Sequence, residues 1–186
     1  KGMLLAVGGG NGDNAVTATP LLGQGGWEVA VRDGGADLHD FEQAPFSFLY
    51  LPWDAQGLVG GHVAADGSLL RSAGAFTLGR QGAGSYLLQI PGASPDGGSL
   101  LLTAAGREGG LPDDTLVSYQ ASGSSILIET RDLPGLALAD ADFVFAFDPD
   151  DGGLAPRPVP GLESWPVGGP ASVAASHSPP FAPVRA

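Results

Sequence analysis

The chain has 186 residues and a formal net charge of -12, and its lack of cysteine excludes disulfide frameworks, thiolate zinc sites and a cysteine nucleophile. Only eight basic residues are present and they are scattered, which argues against nucleic-acid binding because neutralising phosphates requires clustered lysine and arginine. The 31 glycines and 16 prolines, beside a hydrophobic share of 43%, predict many short β-strands joined by tight turns, and no apolar run approaches the roughly 20 residues that a membrane span requires.

The first quarter of the chain reads as three strands. Met3–Val7 is short, apolar and bounded by glycine, which is typical of a buried strand, and Gly8–Asn14 follows as a turn. Trp27–Asp33 alternates apolar with polar or small residues, so we expect a strand with one buried face. A polar connection, Gly34–Ala44, leads to an aromatic strand at Phe46–Pro52.

This aromatic strand is the most distinctive feature of the sequence. Phe46, Phe48 and Tyr50 occupy alternate positions, and alternate side chains of a strand share one face of the sheet. Pro52 ends the strand because proline has no N–H to donate. The same pattern returns at Phe143–Pro149.

Two hairpins are predicted in the middle of the chain. The first joins Leu58–Val63 to Leu69–Arg71 through an Asp-Gly turn, which is a strong hairpin signal between apolar runs. The second joins Ala75–Leu78 to Ser85–Ile90 across a loop at Gly79–Gly84.

From Gly98 onward the chain repeats its own beginning at an offset of about 96 to 100 residues. The matching segments are Gly2–Val7 with Gly98–Thr103, Asp13-Asn14 with Asp113-Asp114, Val29–Asp33 with Ile128–Asp132, and Phe46–Pro52 with Phe143–Pro149. An offset that drifts only in loops is typical of a duplicated unit. The fold predicted is therefore an all-β protein, an antiparallel jelly-roll-like β-sandwich built from an internal duplication.

The repeat predicts three segments: 1–52 is the second half of a repeated unit, 53–151 is a complete unit, and 152–186 is a Pro/Gly-rich arm or linker. The half-unit lacks the strands that precede its counterpart, and an incomplete sandwich exposes strand edges. It could pack on the complete unit as one larger sandwich, accept strands from a neighbouring subunit, or belong to a longer array of units.

The segment 152–186 is rich in proline and glycine and cannot form a core of its own. A solvated linker would not need Trp165 or Phe181, so we predict an arm that packs along its own domain or a neighbour. The alternative is a disordered linker to a further domain.

No catalytic constellation is evident. His39, His62 and His177 lie far apart in sequence without metal-ligand spacing, and there is no Gly-x-Ser-x-Gly elbow. A non-enzymatic role is therefore predicted.

Two kinds of ligand are suggested by side-chain chemistry. Carboxylate-rich turns supply the oxygen ligands that calcium prefers, and Trp27 or Trp53 could stack on carbohydrate. The candidate calcium ligands are Asn11, Asp13, Asp113, Asp114, Asp148, Asp150 and Asp151.

The sequence Gly74-Ala75-Phe76, followed by Gly84-Ser85-Tyr86-Leu87-Leu88 and a late Phe143-Val144-Phe145 strand, resembles the C1q/TNF-like jelly-roll family over about half the chain. This resemblance implies a trimer-forming extracellular recognition domain. The chain departs from the family in the length of its unit and in its duplication.

The leading hypothesis is a non-catalytic extracellular structural protein, a subunit of a surface fibre, sheath or comparable assembly. Its subunits would join as a homo-oligomer or polymer through strand or arm exchange. The alternative is a carbohydrate- or receptor-binding β-sandwich module of a larger secreted protein.

Overall fold

The computed structural model describes residues 1–9, 14–21, 25–32, 41–106, 115–133 and 135–149, all within one compact unit, Lys1–Ala155. These residues form thirteen β-strands and no helix. The strands are β1 (Gly2–Gly8), β2 (Ala15–Leu21), β3 (Gly26–Arg32), β4 (Phe46–Pro52), β5 (Val59–Val63), β6 (Leu69–Ala73), β7 (Thr77–Gly82), β8 (Ser85–Gln89), β9 (Gly98–Ala104), β10 (Thr115–Ser122), β11 (Ser125–Asp132), β12 (Ala137–Leu138) and β13 (Phe143–Pro149). The described part of the chain thus holds no helix that could cross a membrane.

Strands β5 to β13 form a two-layer sandwich. One layer has the order β9-β13-β5-β6 and the other the order β10-β11-β8-β7, with β12 paired to β11. The inward-facing side chains of both layers form the main core, as alternation along each strand requires. Its buried members are Val63, Tyr86, Leu88, Leu100, Ile126, Ile128, Phe143, Phe145 and Phe147.

Strands β1 to β4 add to this sandwich in two places. The β2-β3 hairpin extends the first layer through a parallel bridge between Thr17 and Ala104, which makes a six-stranded sheet. Strands β1 and β4 form a separate antiparallel pair. Residues of β1 contribute to two smaller cores, one shared with Val144 and Ala146 of β13 and one shared with Ala18 of β2.

A threonine side chain fixes β1 against the first layer. The backbone N–H of Ala6 donates to Oγ1 of Thr103 at 2.9 Å, and the same hydroxyl donates to the Ala6 carbonyl oxygen at 3.1 Å. Thr103 is only 3% exposed, so these bonds satisfy backbone groups that would otherwise be buried unpaired. Strands β1 to β3 therefore share cores or a sheet with the rest of the sandwich.

The prediction of an antiparallel all-β sandwich is confirmed. The internal duplication stays a prediction, although the two ladders that it relates run in the same register. Gly2 pairs with Pro52 in the first ladder, and Gly98 pairs with Pro149 in the second. Each ladder contains seven residue pairs, counting these.

The structure differs from the predicted strands at one loop and at three strands that were not predicted, one of which is the two-residue β12. Strand β7 extends to Gly82, so the predicted loop at Gly79–Gly84 is reduced to a two-residue turn. Gly79 and Gly82 therefore lie in an edge strand, which has a bulge near Arg80. Strands β2 and β10 were not predicted. Their small, threonine-rich or weakly alternating sequences give little periodic signal, and in β2 the buried positions include Thr17 and Thr19.

Candidate assembly surface

The two aromatic strands have the same sequence pattern and opposite burial. The aromatic row of β13, formed by Phe143, Phe145 and Phe147, is at most 1% exposed. The aromatic row of β4, formed by Phe46, Phe48 and Tyr50, is 41 to 66% exposed. The molecule therefore presents on β4 the same row of rings that it buries on β13.

The burial of the β13 row depends on strands that come earlier in the chain. Strand β5 pairs along one edge of β13, and β9 pairs along the other. The ring of Phe76 meets Phe145 edge-on at 5.0 Å between centroids, and Tyr86 meets Phe143 at 5.1 Å. The hairpins before β13 thus cover both its edge and its aromatic face.

Strand β4 has one such partner, since only β1 pairs with it among the described residues. The N–H of Trp53 donates to the carbonyl of Lys1 at 3.2 Å, and the N–H of Gly9 donates to the carbonyl of Pro45 at 2.8 Å. In an antiparallel ladder these bonds place the odd-numbered peptide groups toward β1. The peptide groups of Phe46, Phe48 and Tyr50 therefore face the opposite edge, which we call the open edge of β4.

Glycines make room for the aromatic rings on both strands. A Cβ on Gly98 would collide with the Phe147 ring, and a Cβ on Gly2 would lie 2.5 Å from the Tyr50 ring. On β5, a Cβ on Gly61 would lie 2.8 Å from the ring of Phe145, its cross-strand partner. Phe48 corresponds to Phe145. Among the described residues no strand pairs with the open edge of β4, so no glycine lies beside Phe48 as Gly61 lies beside Phe145.

Both candidate carbohydrate-binding tryptophans are partly buried. Trp27 of β3 meets the Tyr50 ring edge-on at 5.4 Å, with an angle of 68° between the planes. Trp53 packs against the core around Met3, and the guanidinium carbon of Arg71 lies 5.9 Å from its ring centroid. The two tryptophans thus contact different neighbours, Tyr50 for Trp27 and Arg71 for Trp53. The carbohydrate- or receptor-binding alternative stays a prediction.

Of the candidate calcium ligands, the structure describes Asp148 alone. This residue lies on β13, and its buried Oδ1 atom has no hydrogen-bond partner among the described residues. The described residues hold no group of three or more side chains that could bind a metal ion. The other candidates, Asn11, Asp13, Asp113, Asp114, Asp150 and Asp151, lie outside the described residues, as do Trp165 and Phe181 of the arm.

His62 is the histidine that the structure describes, whereas His39 and His177 lie outside the described residues. It sits on β5, and burial lowers its pKa while the nearby Asp142 carboxyl acts in the opposite direction. Asp142 accepts the backbone N–H of Ala65 at 2.8 Å and so holds the loop after β5. His62 is thus partly buried within the sheet, between the buried residues Gly61 and Val63.

A polar network that the sequence did not reveal joins the β7-β8 hairpin to the residues before β13. The Asp140 carboxylate accepts two hydrogen bonds from the Arg80 guanidinium, at 3.0 and 2.6 Å, and one from the Gly84 N–H at 2.8 Å. The Tyr86 hydroxyl donates to the Ala65 carbonyl at 2.7 Å, and burial raises its pKa. The network closes one end of the main core.

We expect Asp140→Asn to lower the free energy of unfolding by about 1 kcal/mol at pH 7, a value discounted for screening because the carboxylate is 32% exposed. The Arg80 hydrogen bonds, followed by the Gly84 N–H, lower the pKa of Asp140. Its contribution is therefore complete above the unfolded pKa of about 4 and is lost as the pH falls through the lower folded value. Urea titrations should show that the difference in the free energy of unfolding between Asp140→Asn and wild type is smaller at pH 3 than at pH 7. The control Asp54→Asn, at an exposed turn, should change this free energy little at either pH.

No protein-family model, curated protein or solved structure matches this chain. The resemblance to the C1q/TNF-like family stays a prediction for that reason.

Proposed function

We propose that this protein is a non-catalytic structural subunit of an extracellular fibre, sheath or comparable assembly, in which the open edge of β4 binds another copy. The observation that carries the proposal is the 66% exposure of Phe48, set against the complete burial of its counterpart Phe145. Exposed contiguous apolar surface of this kind is typical of protein interaction sites.

The composition of β4 supports this role. Its sequence, Phe-Ser-Phe-Leu-Tyr-Leu-Pro, contains no charged residue. Edge strands that avoid association usually carry a charge, a bulge or a short length. The edge strand β7 carries Arg80 and a bulge, and β6 carries Arg71, whereas β4, like β10, has no charged residue.

Burial of this surface contributes a favourable free energy to association. Covering a large apolar side chain fully stabilises a contact by about 1.5 to 3 kcal/mol, and β4 exposes Phe46, Phe48, Leu49 and Tyr50 by 41 to 66%. The three peptide groups on the open edge add backbone hydrogen bonds in a strand-to-strand contact. Association through β4 would thus bury the exposed rings and give hydrogen-bond partners to the peptide groups of the open edge.

The experiment that tests the proposal is multi-angle light scattering of the full-length chain over a range of concentrations. We expect the wild type to self-associate, and we expect Phe48→Glu to remain a folded monomer, because a buried carboxylate at the interface would be unpaired. Tyr119→Glu is the matched control: this tyrosine is 50% exposed on β10, at the edge of the other sheet layer, and its replacement should leave association intact.

A wild-type chain that stays monomeric and folded at high concentration would contradict the proposal. Equal loss of association in Phe48→Glu and Tyr119→Glu would also count against it, because the effect would then follow from surface charge and not from β4. Circular dichroism of each variant establishes that it is folded.

A further inference from the structure

We propose that the strand added to β4 is the segment Trp165–Ala171 of a second copy, which pairs antiparallel to β4 with Gly169 opposite Phe48. This inference rests on the proposed function and names the partner segment. The segment lies outside the described residues, so its side of the argument comes from the sequence, and the acceptor side comes from the geometry of β4, β5 and β13.

The pairing of β5 with β13 shows what chemistry the added strand must have. Gly61 lies opposite Phe145, and any Cβ at that position would lie 2.8 Å from the Phe145 ring and 3.2 Å from the Phe76 ring. Gly60 is equally restricted, since its Cβ would lie 2.7 Å from the Phe145 carbonyl oxygen. A strand that covers Phe48 in the same way therefore requires a pair of adjacent glycines.

Adjacent glycines occur at several places in the chain, but the tripeptide Val-Gly-Gly, in which β5 carries its glycine pair, occurs three times. Val59-Gly60-Gly61 is the strand that already covers β13, and Val7-Gly8-Gly9 already pairs with the other edge of β4. The third copy is Val167-Gly168-Gly169 in the C-terminal arm. If this segment pairs with β4 in the register in which β5 pairs with β13, Gly169 lies opposite Phe48 and Val167 lies opposite Tyr50.

The prolines of the arm provide an independent check on this register. The N–H of Ala105 donates to the Asp142 carbonyl at 2.9 Å, so the even-numbered peptide groups of β13 face β9 and the odd-numbered groups face β5. In the paired β5 strand, Val59, Gly61 and Val63 consequently face β13. The corresponding positions in the arm are Val167, Gly169 and Ala171.

Pro166 and Pro170 fall between these positions, where the backbone N–H would face away from β4. Proline is tolerated at such positions because the missing donor is not needed in the ladder. Their rings also prevent a further strand from pairing on the outer edge. The arm thus has the pattern of a single terminal strand, with one edge able to pair and one edge blocked.

Donation from one copy to the next produces a head-to-tail contact. After one such contact the donor subunit would keep an open β4 edge and the acceptor subunit a free arm, so growth continues unless the geometry closes a ring. This arrangement is the expected basis of a fibre or sheath subunit.

The test uses the full-length chain with both arm glycines replaced, Gly168→Val with Gly169→Val. We expect association to be lost, so that the mass measured by light scattering falls to the monomer value of 18.6 kDa. The matched control replaces the other glycine pair of the arm, Gly152→Val with Gly153→Val, and should associate as the wild type does.

A mixing experiment then separates donor from acceptor. The Phe48→Glu variant keeps its arm, and the arm-glycine variant keeps its β4 edge, so each alone should be a monomer. Mixed together they should form a one-to-one complex of twice the monomer mass. In that complex, hydrogen exchange at the Phe48 amide of the arm-glycine variant should become protected, because this N–H faces the open edge.

The possible results distinguish this inference from the proposed function. Association that survives in the arm-glycine variant but is lost in Phe48→Glu would overturn the inference alone, and would favour β4 pairing with β4 of a second copy. A wild-type monomer whose Phe48 amide is protected would show that the arm folds back on its own chain, and would overturn both. A wild-type monomer with an unprotected Phe48 amide would likewise remove both.

Discussion

Phe145→Ala is expected to lower the free energy of unfolding by about 3 to 5 kcal/mol, the range for removing a buried aromatic side chain and leaving a cavity. Phe145 is 0% exposed and packs in the main core against Phe76 and Gly61. The matched change on the other strand, Phe48→Ala, should cost less than about 0.5 kcal/mol in the monomer, because that ring is 66% exposed.

Guanidinium or urea unfolding at a concentration low enough to keep both variants monomeric measures this contrast, since association would add its own stabilisation to the folded state. Similar losses of stability in the two variants would contradict the exposure of the β4 row. They would indicate that the rings of β4 are covered within the same subunit.

Gly84→Ala is expected to lower the free energy of unfolding by more than about 3 kcal/mol, by adding backbone strain to steric overlap. Gly84 has a φ of 61°, a left-handed conformation that costs other residues roughly 1 to 2 kcal/mol. Its Cβ would also lie 2.6 Å from the backbone nitrogen and 2.8 Å from the carbonyl oxygen of Ala139. The N–H of Ala139 donates to the Thr130 carbonyl of β11 at 3.1 Å, so the Ala139 backbone cannot move aside without disturbing that hydrogen bond.

Gly123→Ala separates the two contributions. Gly123 has nearly the same φ, 62°, but nothing lies within 4 Å of its Cβ position. Its replacement should therefore cost only the conformational part, about 1 to 2 kcal/mol. Thermal unfolding followed by circular dichroism compares the pair, and equal shifts for Gly84→Ala and Gly123→Ala would mean that the close approach at Ala139 does not restrict the hairpin.

Periodicity predicted the strands with strong alternation and missed those without it. The aromatic strands and the Asp66-Gly67 hairpin were located correctly, because alternate rings and a turn with Gly67 at a φ of 85° are local signals. Strand β2 was missed because its core positions include Thr17 and Thr19, which a hydrophobic pattern does not mark as buried. The hydroxyl bonds of Thr103 to β1 could not be predicted either, since the two segments are 97 residues apart.

The sequence by itself determined that the chain is all-β, that two aromatic strands end at prolines, and that each places three rings on one face. Only the tertiary structure decided which row is buried. Alternation and proline act within one strand, whereas burial depends on the strands that pack beside it. Strands β5 and β8 cover β13, and in the described residues nothing equivalent pairs with the open edge of β4, so two strands with the same aromatic spacing have opposite exposure.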